Sequence, residues 1–587
     1  MKNQRRKDRL SALPDETLHR ILSHLSSDKA VRTSSLSRRW HHVYAGVPVV
    51  DLVDPKSGRN KYDLPDHNFR IRYEAKVCFD QKVTGAILCK AARTPIRTFR
   101  LDAFNPPRGL LDQWIIIVVS SGVVEEIDVK LRYWEFSGRR LCPFGSSDEA
   151  SADFDKCDKK RYVKTQHHLF GCPALRRIRL TNWTLDLPPP LGAVMSSLDT
   201  LCLTRIMDPK DLLQQLLANC PRLTDLTLQE CPSLKKITVT SAHLRSFAMI
   251  CCHNATRVKL TSSCLRSLHY QGGLPRKSLF KLANYAGVVA LKIEICQDLS
   301  EKEPTEFAPA NKLIRRCTKL AYLHLSLDPS MAYCSSFAVP SLPHFRQLGL
   351  QCCLWDDQDV RSVAVLLRDT HNLEVLSLFL QGHESESDTE HEDDDDWVDY
   401  TKPEDDGGDG DYTEPGDSAG DGVDYTEPGD NASDGVDYTA PEDHGNDCTN
   451  YTDPDCHADD GVDYSQLTDS FWQMYIRCLD DKLRRINIRD YEGLQLEKIL
   501  VKFLLSKAVA LEEVSVTLMV GRSQNKREIA KELWSWITYA GTGLRQAERG
   551  GVGTHTAQQL IGRPSAGEAR LPQAIGKGSC RRERIYV

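Results

Sequence analysis

Apolar residues recur along most of this chain in one figure, apolar-x-x-apolar-x-apolar. Ile96, Phe99 and Leu101 show it first, then Val124, Ile127 and Val129, and then Leu175, Ile178 and Leu180. The sets Leu198/Leu201/Leu203, Leu223/Leu226/Leu228, Leu244/Phe247/Met249 and Leu265/Leu268/Tyr270 continue it. A less regular patch follows, and the figure returns at Leu320/Leu323/Leu325, Phe345/Leu348/Leu350 and Leu373/Leu376/Leu378. The last two positions of each set lie two apart, so both point inward from a short strand. One such unit cannot bury its own edge. A repeat of roughly 21 to 28 residues therefore predicts units stacked into a solenoid around a parallel sheet, the leucine-rich-repeat period. The segments between strands are returns, and Pro209–Ala218 is the clearest helix among them.

The first 46 residues follow another rhythm. Pro14 sits where a helix takes its first residue, and Asp15 and Glu16 place negative charge at the positive end of its dipole. Leu18, Ile21, Leu22 and Leu25 recur at helical spacing. Asp28 and Ser37 are placed to cap two further short helices, Ala30–Leu36 and Arg38–Tyr44. Three helices in so few residues cannot bury all their apolar surface, so the next domain or another protein must cover some of it.

The pieces Leu13-Pro14-Asp15-Glu16, Ile21-Leu22-Ser23 with Leu25, Ala30-Val31-Arg32-Thr33-Ser34 and Leu36-Ser37-Arg38-Arg39-Trp40 resemble the F-box, in the form found in plant F-box proteins with leucine-rich repeats. One departure is Ser26, where that family usually has proline. After Ser470 the strand figure returns with Leu483/Ile486/Ile488 and Leu511/Val514/Val516, around an amphipathic helix over Leu496–Ala508. That block resembles the FBD module of the same family through Cys478-Leu479, Ile486–Ile488, Gly493 and Lys502–Leu505.

Charge divides the chain. Overall it holds 76 basic and 82 acidic residues, a net −6. Glu384 to Tyr464 alone carries 31 acidic residues and one basic, Lys402, so the rest is a basic body of 75 against 51. Within that acidic stretch a unit around Asp-Tyr-Thr-x-Pro repeats, with Tyr400, Tyr412, Tyr425, Tyr438, Tyr451 and Tyr464 spaced 12 and then 13 apart. Few apolar residues and strong self-repulsion predict disorder. Asp430, Asp434 and Gly435 match parts of a calcium loop, but Ala432 and Pro441 stand where ligands belong. Ser385 and Ser387, set among acids, suit acid-directed phosphorylation.

Candidate chemistry is thin. The chain shows no phosphate loop, no His-Glu-x-x-His and no Gly-x-Ser-x-Gly elbow. His41-His42 and His167-His168 are adjacent pairs that point to different faces. The chain has 20 cysteines but no C-x-x-C pair of zinc spacing, and several begin a repeat as Cys-Pro-x-Leu, as small buried hydrophobes at a turn. No cofactor, metal or catalytic residue is expected. The charged N-terminus MKNQRRKDR does not read as a signal peptide, and no apolar run is long enough to span a bilayer. Reduced thiols in the cytosol or nucleus are the expectation, with no membrane partner. The basic body lacks the aromatic-interleaved motif that would argue for nucleic acid.

The expected fold is α/β: a basic end (1–9), an F-box of three helices (10–46) and an irregular leucine-rich-repeat solenoid (47–383). A long disordered acidic insert (384–468), an FBD-like C-terminal repeat segment (469–540) and a disordered tail (541–587) follow. The resemblance implies a non-catalytic substrate receptor of an SCF-type, cullin–RING ubiquitin ligase. Its F-box would bind the Skp adaptor through Leu13, Pro14, Leu18, Ile21, Leu22, Leu36 and Trp40, and its repeats would bind a target protein. The alternative is a leucine-rich-repeat scaffold or small-ligand sensor working without ligase activity.

Overall fold

In the computed structural model the described residues run, with short gaps, over 10–54, 69–133, 162–381 and 469–536, with 583–586 besides. The acidic insert and most of the tail lie outside them, as does most of the stretch 137–164, a polar, poorly patterned section expected as a loop on the rim. Three helices open the chain: α1 (Asp15–Ser23), α2 (Ser27–Thr33) and α3 (Arg38–Ala45). Ser37 caps α3 as the sequence predicts, accepting from the Trp40 N–H at 3.3 Å. Asp28 does not cap α2. The helix starts at Ser27, three residues before the expected Ala30, with Ser26 at its N-cap, and Asp28 lies in its first turn, where it still faces the positive end of the dipole. Pro14 precedes α1 in an extended conformation (φ −59°, ψ 149°), one step outside the place the sequence assigns it.

Most of the described residues after α3 are organised around one long sheet. Its strands are β1 (Val49–Val53), β2 (Thr98–Phe104), β3 (Glu126–Arg132), β4 (Arg177–Thr181), β5 (Thr200–Thr204), β6 (Asp225–Gln229), β7 (Ser246–Ile250) and β8 (Ser267–Gly272). They continue as β9 (Ala290–Ile295), β10 (Tyr322–Leu327), β11 (Gln347–Cys352), β12 (Val375–Leu380), β13 (Arg485–Tyr491), β14 (Glu513–Leu518) and β15 (Glu583–Tyr586). Each pairs with its neighbours in chain order. Every pairing is parallel except the last, in which β15 runs antiparallel to β14. Four residues of the stretch expected as a tail thus close the sheet.

Register explains the repeating figure. Phe99 pairs with Ile127 and Leu101 with Val129. The same alignment carries Leu201 to Leu226 and Leu203 to Leu228, then Leu291 to Leu323 and Ile293 to Leu325. Two inward rows therefore run the length of the sheet, and nearly every member is buried. β9 falls in the patch the sequence left irregular. Its triplet Val288, Leu291 and Ile293 has the usual spacing and is fully buried. The return before it holds the strand Phe280–Leu282, which joins Arg257–Leu260 and Lys236–Val239 in a small second sheet in place of helices. Cys172, Cys220, Cys231 and Cys317 are buried at the starts of repeats, as expected.

β12 pairs directly with β13, Leu376 facing Ile486 and Leu378 facing Ile488. The chain leaves one slot of the sheet after 380 and resumes in the next at 485, so the acidic insert interrupts a continuous solenoid. Phe471, Ile476 and Leu479 are buried and lead the chain back in. No helix among the described residues is long and apolar enough to cross a membrane.

Candidate functional site

Two surfaces concern function, and the first is the helical N-terminus. Leu18, Leu22, Ala30, Trp40, Val43 and Val47 form its closed core. Leu13 packs half-buried against that core. Of the residues expected to face an adaptor, Leu18, Leu22 and Trp40 are buried in this core, where they also hold the helices together. Pro14, Ile21 and Leu36 face outward; Ile21 is 40% exposed and Leu36 67%. Leu10 and Val31, at 49% and 40%, add apolar surface that the sequence reading did not single out. Val31 follows the buried Ala30, and a step of one residue on a helix turns the side chain away from the core.

This unit is fastened to the first repeat. Ser27 Oγ accepts from the Asp51 N–H of β1 at 2.8 Å. Lys82 and Lys90 come from the helix Phe69–Ala91, and Lys82 pairs with Asp28 of α2. Lys90 is almost wholly buried; its ammonium donates to the Val47 carbonyl at 2.7 Å and the Tyr44 carbonyl at 3.2 Å, beside the Tyr44 ring. Those contacts reach one carbonyl in the last turn of α3 and one just past it. Burial pushes the Lys90 pKa down to about 8. Arg39 clasps α3 to the start of α1 through Asp15 Oδ1 at 2.7 Å and the Leu13 carbonyl at 2.6 Å. Presentation of the helices is thereby rigidly tied to the solenoid.

The second surface is the open face of the sheet, made of the residues between the two inward rows. Register sets Asp51, Arg100, Asp128, Arg179, Cys202, Thr227, Ala248, His269, Lys292, His324, Gly349, Ser377 and Asn487 in one line. The first third is a charge lattice: Glu126, nearly buried, lies 3.1 Å from Arg100, 3.6 Å from Arg179 and 3.7 Å from Arg177. Asp102 adds Arg132 at 2.5 Å and Lys130 at 3.3 Å. The middle is small: Cys202, Thr227 and Ala248. The far third gathers His269, Lys292, Glu294, Tyr322, His324, Phe379 and Arg489.

In that third Glu294 accepts from His269 at 2.5 Å and faces Lys292 at 2.9 Å. Burial alone would raise its pKa, but these two partners hold it down at about 2. His324 is 4% exposed, its ring edge-on to Phe379 at 5.3 Å. Gly349 makes the room, since a Cβ there would stand 2.6 Å from His324 Nδ1. Burial, helped by Lys292, pushes the His324 pKa down to about 4. The unfolded chain then binds the extra proton first, so the stability His324 contributes is complete above about pH 6.5 and is lost as pH falls toward 4. At pH 5 the loss is about 2 kcal/mol, an upper figure for a site that can relax. Between pH 7.5 and 5.0, urea melts should show the stability of the wild type falling by about that amount relative to His324→Leu, a difference from which groups common to both proteins cancel. An equal drop in both would refute the assignment.

Residues 10–43 match the F-box domain model. Residues 153–284, which hold β4 to β8, match the family model described as "FBD-associated F-box protein At5g56370, LRR repeats". The chain carries an F-box joined to FBD-associated leucine-rich repeats. Its relatives in Arabidopsis thaliana include F-box protein At3g59000, 25% identical over 63% of this chain and 72% of the relative. F-box/LRR-repeat protein At2g42720 is 25% identical over 63% of this chain and 77% of the relative. Putative F-box/FBD/LRR-repeat protein At5g22670 is 28% identical over 41% of this chain and 46% of its own length. Within this F-box, Ser26 holds φ at −58°, the value a proline ring would impose, and its carbonyl accepts from Ala30 at 2.9 Å. Serine here adopts a backbone angle that proline would also take.

Proposed function

We propose that the chain is the substrate-receptor subunit of an SCF-type ubiquitin ligase. The F-box binds a Skp-type adaptor, and through it a cullin–RING scaffold, while the open face of the repeats holds a target protein. The observation that carries this reading is the division of apolar residues in the F-box. Its own core is complete with Leu18, Leu22 and Trp40, yet Pro14, Ile21, Val31 and Leu36 remain outside on so small a unit. Exposed apolar surface at that density favours a protein partner. The contribution of this chain is proximity: a target held on the solenoid meets the ubiquitin-charged enzyme at a raised local concentration. Bond chemistry belongs to the associated enzymes.

The test is reconstitution. Purified full-length chain is mixed with a plant Skp adaptor, cullin and RING protein and resolved by size exclusion, and the complex is then supplied with ubiquitin, activating and conjugating enzymes, ATP and a plant extract as the source of targets. Co-elution of all four, with ubiquitin transferred to a protein captured on the repeats, is the expected result. Absence of the adaptor from the complex would overturn the reading and leave a free repeat scaffold. Adaptor binding with no transfer to any captured protein would overturn its ligase half.

A further inference from the structure

We propose that Cys251, His253 and Cys296 form a zinc-binding site at the strand exits of the central repeats. Their ligand atoms all lie within 4.8 Å of one another, and the two sulfurs are 4.0 Å apart. Two thiolates about 2.3 Å from a tetrahedral zinc stand roughly 3.8 Å apart, so the cation fits with a shift of a few tenths of an ångström.

The backbone holds this triad ready. Cys251 directly follows β7 and Cys296 directly follows β9, with β8 between them. The Cys251 N–H donates to the Gln271 carbonyl at 2.8 Å and the Cys296 N–H to the Gly272 carbonyl at 3.0 Å. Both cysteines are therefore pinned to consecutive residues of the same strand. Cys251 adopts φ +50°, as Arg205 (φ 53°) and Glu230 (φ 50°) do at the two preceding exits. That shared corner, rather than local distortion, sets its direction. Cys251 is buried and the other two are half-buried, so the site is shielded but reachable. Tyr270 passes close by, yet its hydroxyl donates to the Gly273 carbonyl at 2.6 Å and is engaged there.

Donor chemistry chooses the metal. Two sulfurs and an imidazole, with no carboxylate in the triad, favour zinc over the hard cations magnesium and calcium. Three protein ligands leave the fourth position for water or for a donor from a bound protein. A disulfide would need the sulfurs at about 2.05 Å, a closure of nearly 2 Å against two pinned backbones. Zinc here would cross-link β7 to β9 over β8 in the middle of the repeats. The site does not depend on the ligase reading.

The experiment uses the reduced full-length chain, stripped with EDTA and titrated with cobalt(II), then zinc. The expected result is a saturable near-ultraviolet thiolate-to-cobalt band of one equivalent, bleached by zinc. The double variant Cys251→Ser, Cys296→Ser should lose that equivalent, and a control changing Cys78 and Cys264 to serine should keep it. His253→Asn should weaken zinc binding by about tenfold or more. Far-UV circular dichroism monitors folding. If the double variant misfolds, Cys296→Ser alone carries the test, and it should also lose the band. A wild type with no thiolate band, or folded variants that bind as much cobalt as wild type, would overturn the site. So would an oxidant-sensitive thiol pair at 251 and 296 in a chain that takes up no zinc.

Discussion

Replacing Ile21 and Leu36 together by aspartate is expected to abolish capture of a Skp-type adaptor while leaving the thermal melt unchanged. Ile21 is 40% exposed and Leu36 67%, so the free protein loses little when either becomes polar. In a complex the same positions would be desolvated. Each lost apolar contact is worth about 1.5 kcal/mol or more, and each unpaired carboxylate buried at an interface adds several. A combined loss of at least about 4 kcal/mol is roughly a thousandfold in affinity, enough to clear a pull-down. Leu18 offers the contrast. It is 1% exposed, and an aspartate there would open the F-box core, so adaptor binding would fail for want of a fold. Surface plasmon resonance with purified adaptor, beside calorimetric melts of both variants, separates the two effects. If the Ile21/Leu36 variant melts normally and still binds within a few-fold of wild type, these residues are not the contact.

That contrast also marks how far the sequence could be read. It identified Leu18, Ile21, Leu22 and Leu25 as one helical stripe, but a stripe names a face and not its edge. The partner helices cover Leu18 and Leu22 and stop short of Ile21, and only packing decides where that boundary falls. The solenoid was far more legible, because register forces the same residue type into the same slot at every turn. Leu203, Leu228 and Met249 sit side by side for that reason. The helix Phe69–Ala91 was not foreseen, although its Lys90 ties the F-box to the repeats. A lysine in an ordinary charged stretch gives no sign that it will be buried. The Cys251–His253–Cys296 triad was invisible for another reason: 45 residues separate its cysteines, and only the pairing of β7, β8 and β9 brings them together. The acidic insert could be recognised as an interruption because Leu373/Leu376/Leu378 before it and Leu483/Ile486/Ile488 after it carry one pattern, and β12 and β13 are direct neighbours.

Glu497→Ala is expected to destabilise the C-terminal repeats by about 2–4 kcal/mol, and Glu497→Gln to leave them nearly unchanged or slightly firmer above pH 7. Glu497 is 3% exposed and sits in the first turn of the helix Gln495–Lys507. One of its oxygens, Oε2, accepts three backbone N–H groups: Glu492 at 3.0 Å, Gly493 at 2.8 Å and Leu494 at 3.1 Å. This clamp holds the bend between β13 and the helix, where Gly493 takes φ +84°. Alanine leaves all three donors without their acceptor, and each orphaned donor costs about 1–3 kcal/mol where water cannot reach. Part of this bend is solvent-accessible, which keeps the sum at the lower end. Glutamine retains a carbonyl oxygen in the same place. Burial raises the Glu497 pKa to about 7, against the pull of the three N–H groups. With the folded value above the unfolded 4.5, the glutamate's contribution is complete below about pH 4.5 and declines as pH rises through 7. Glutamine is neutral throughout and escapes that decline, so its stability relative to wild type should improve from pH 5 to pH 8. Urea unfolding of the three proteins at both values decides the matter. Equal midpoints for wild type and Glu497→Ala would show that the bend holds itself, and the clamp would then be a consequence of the turn.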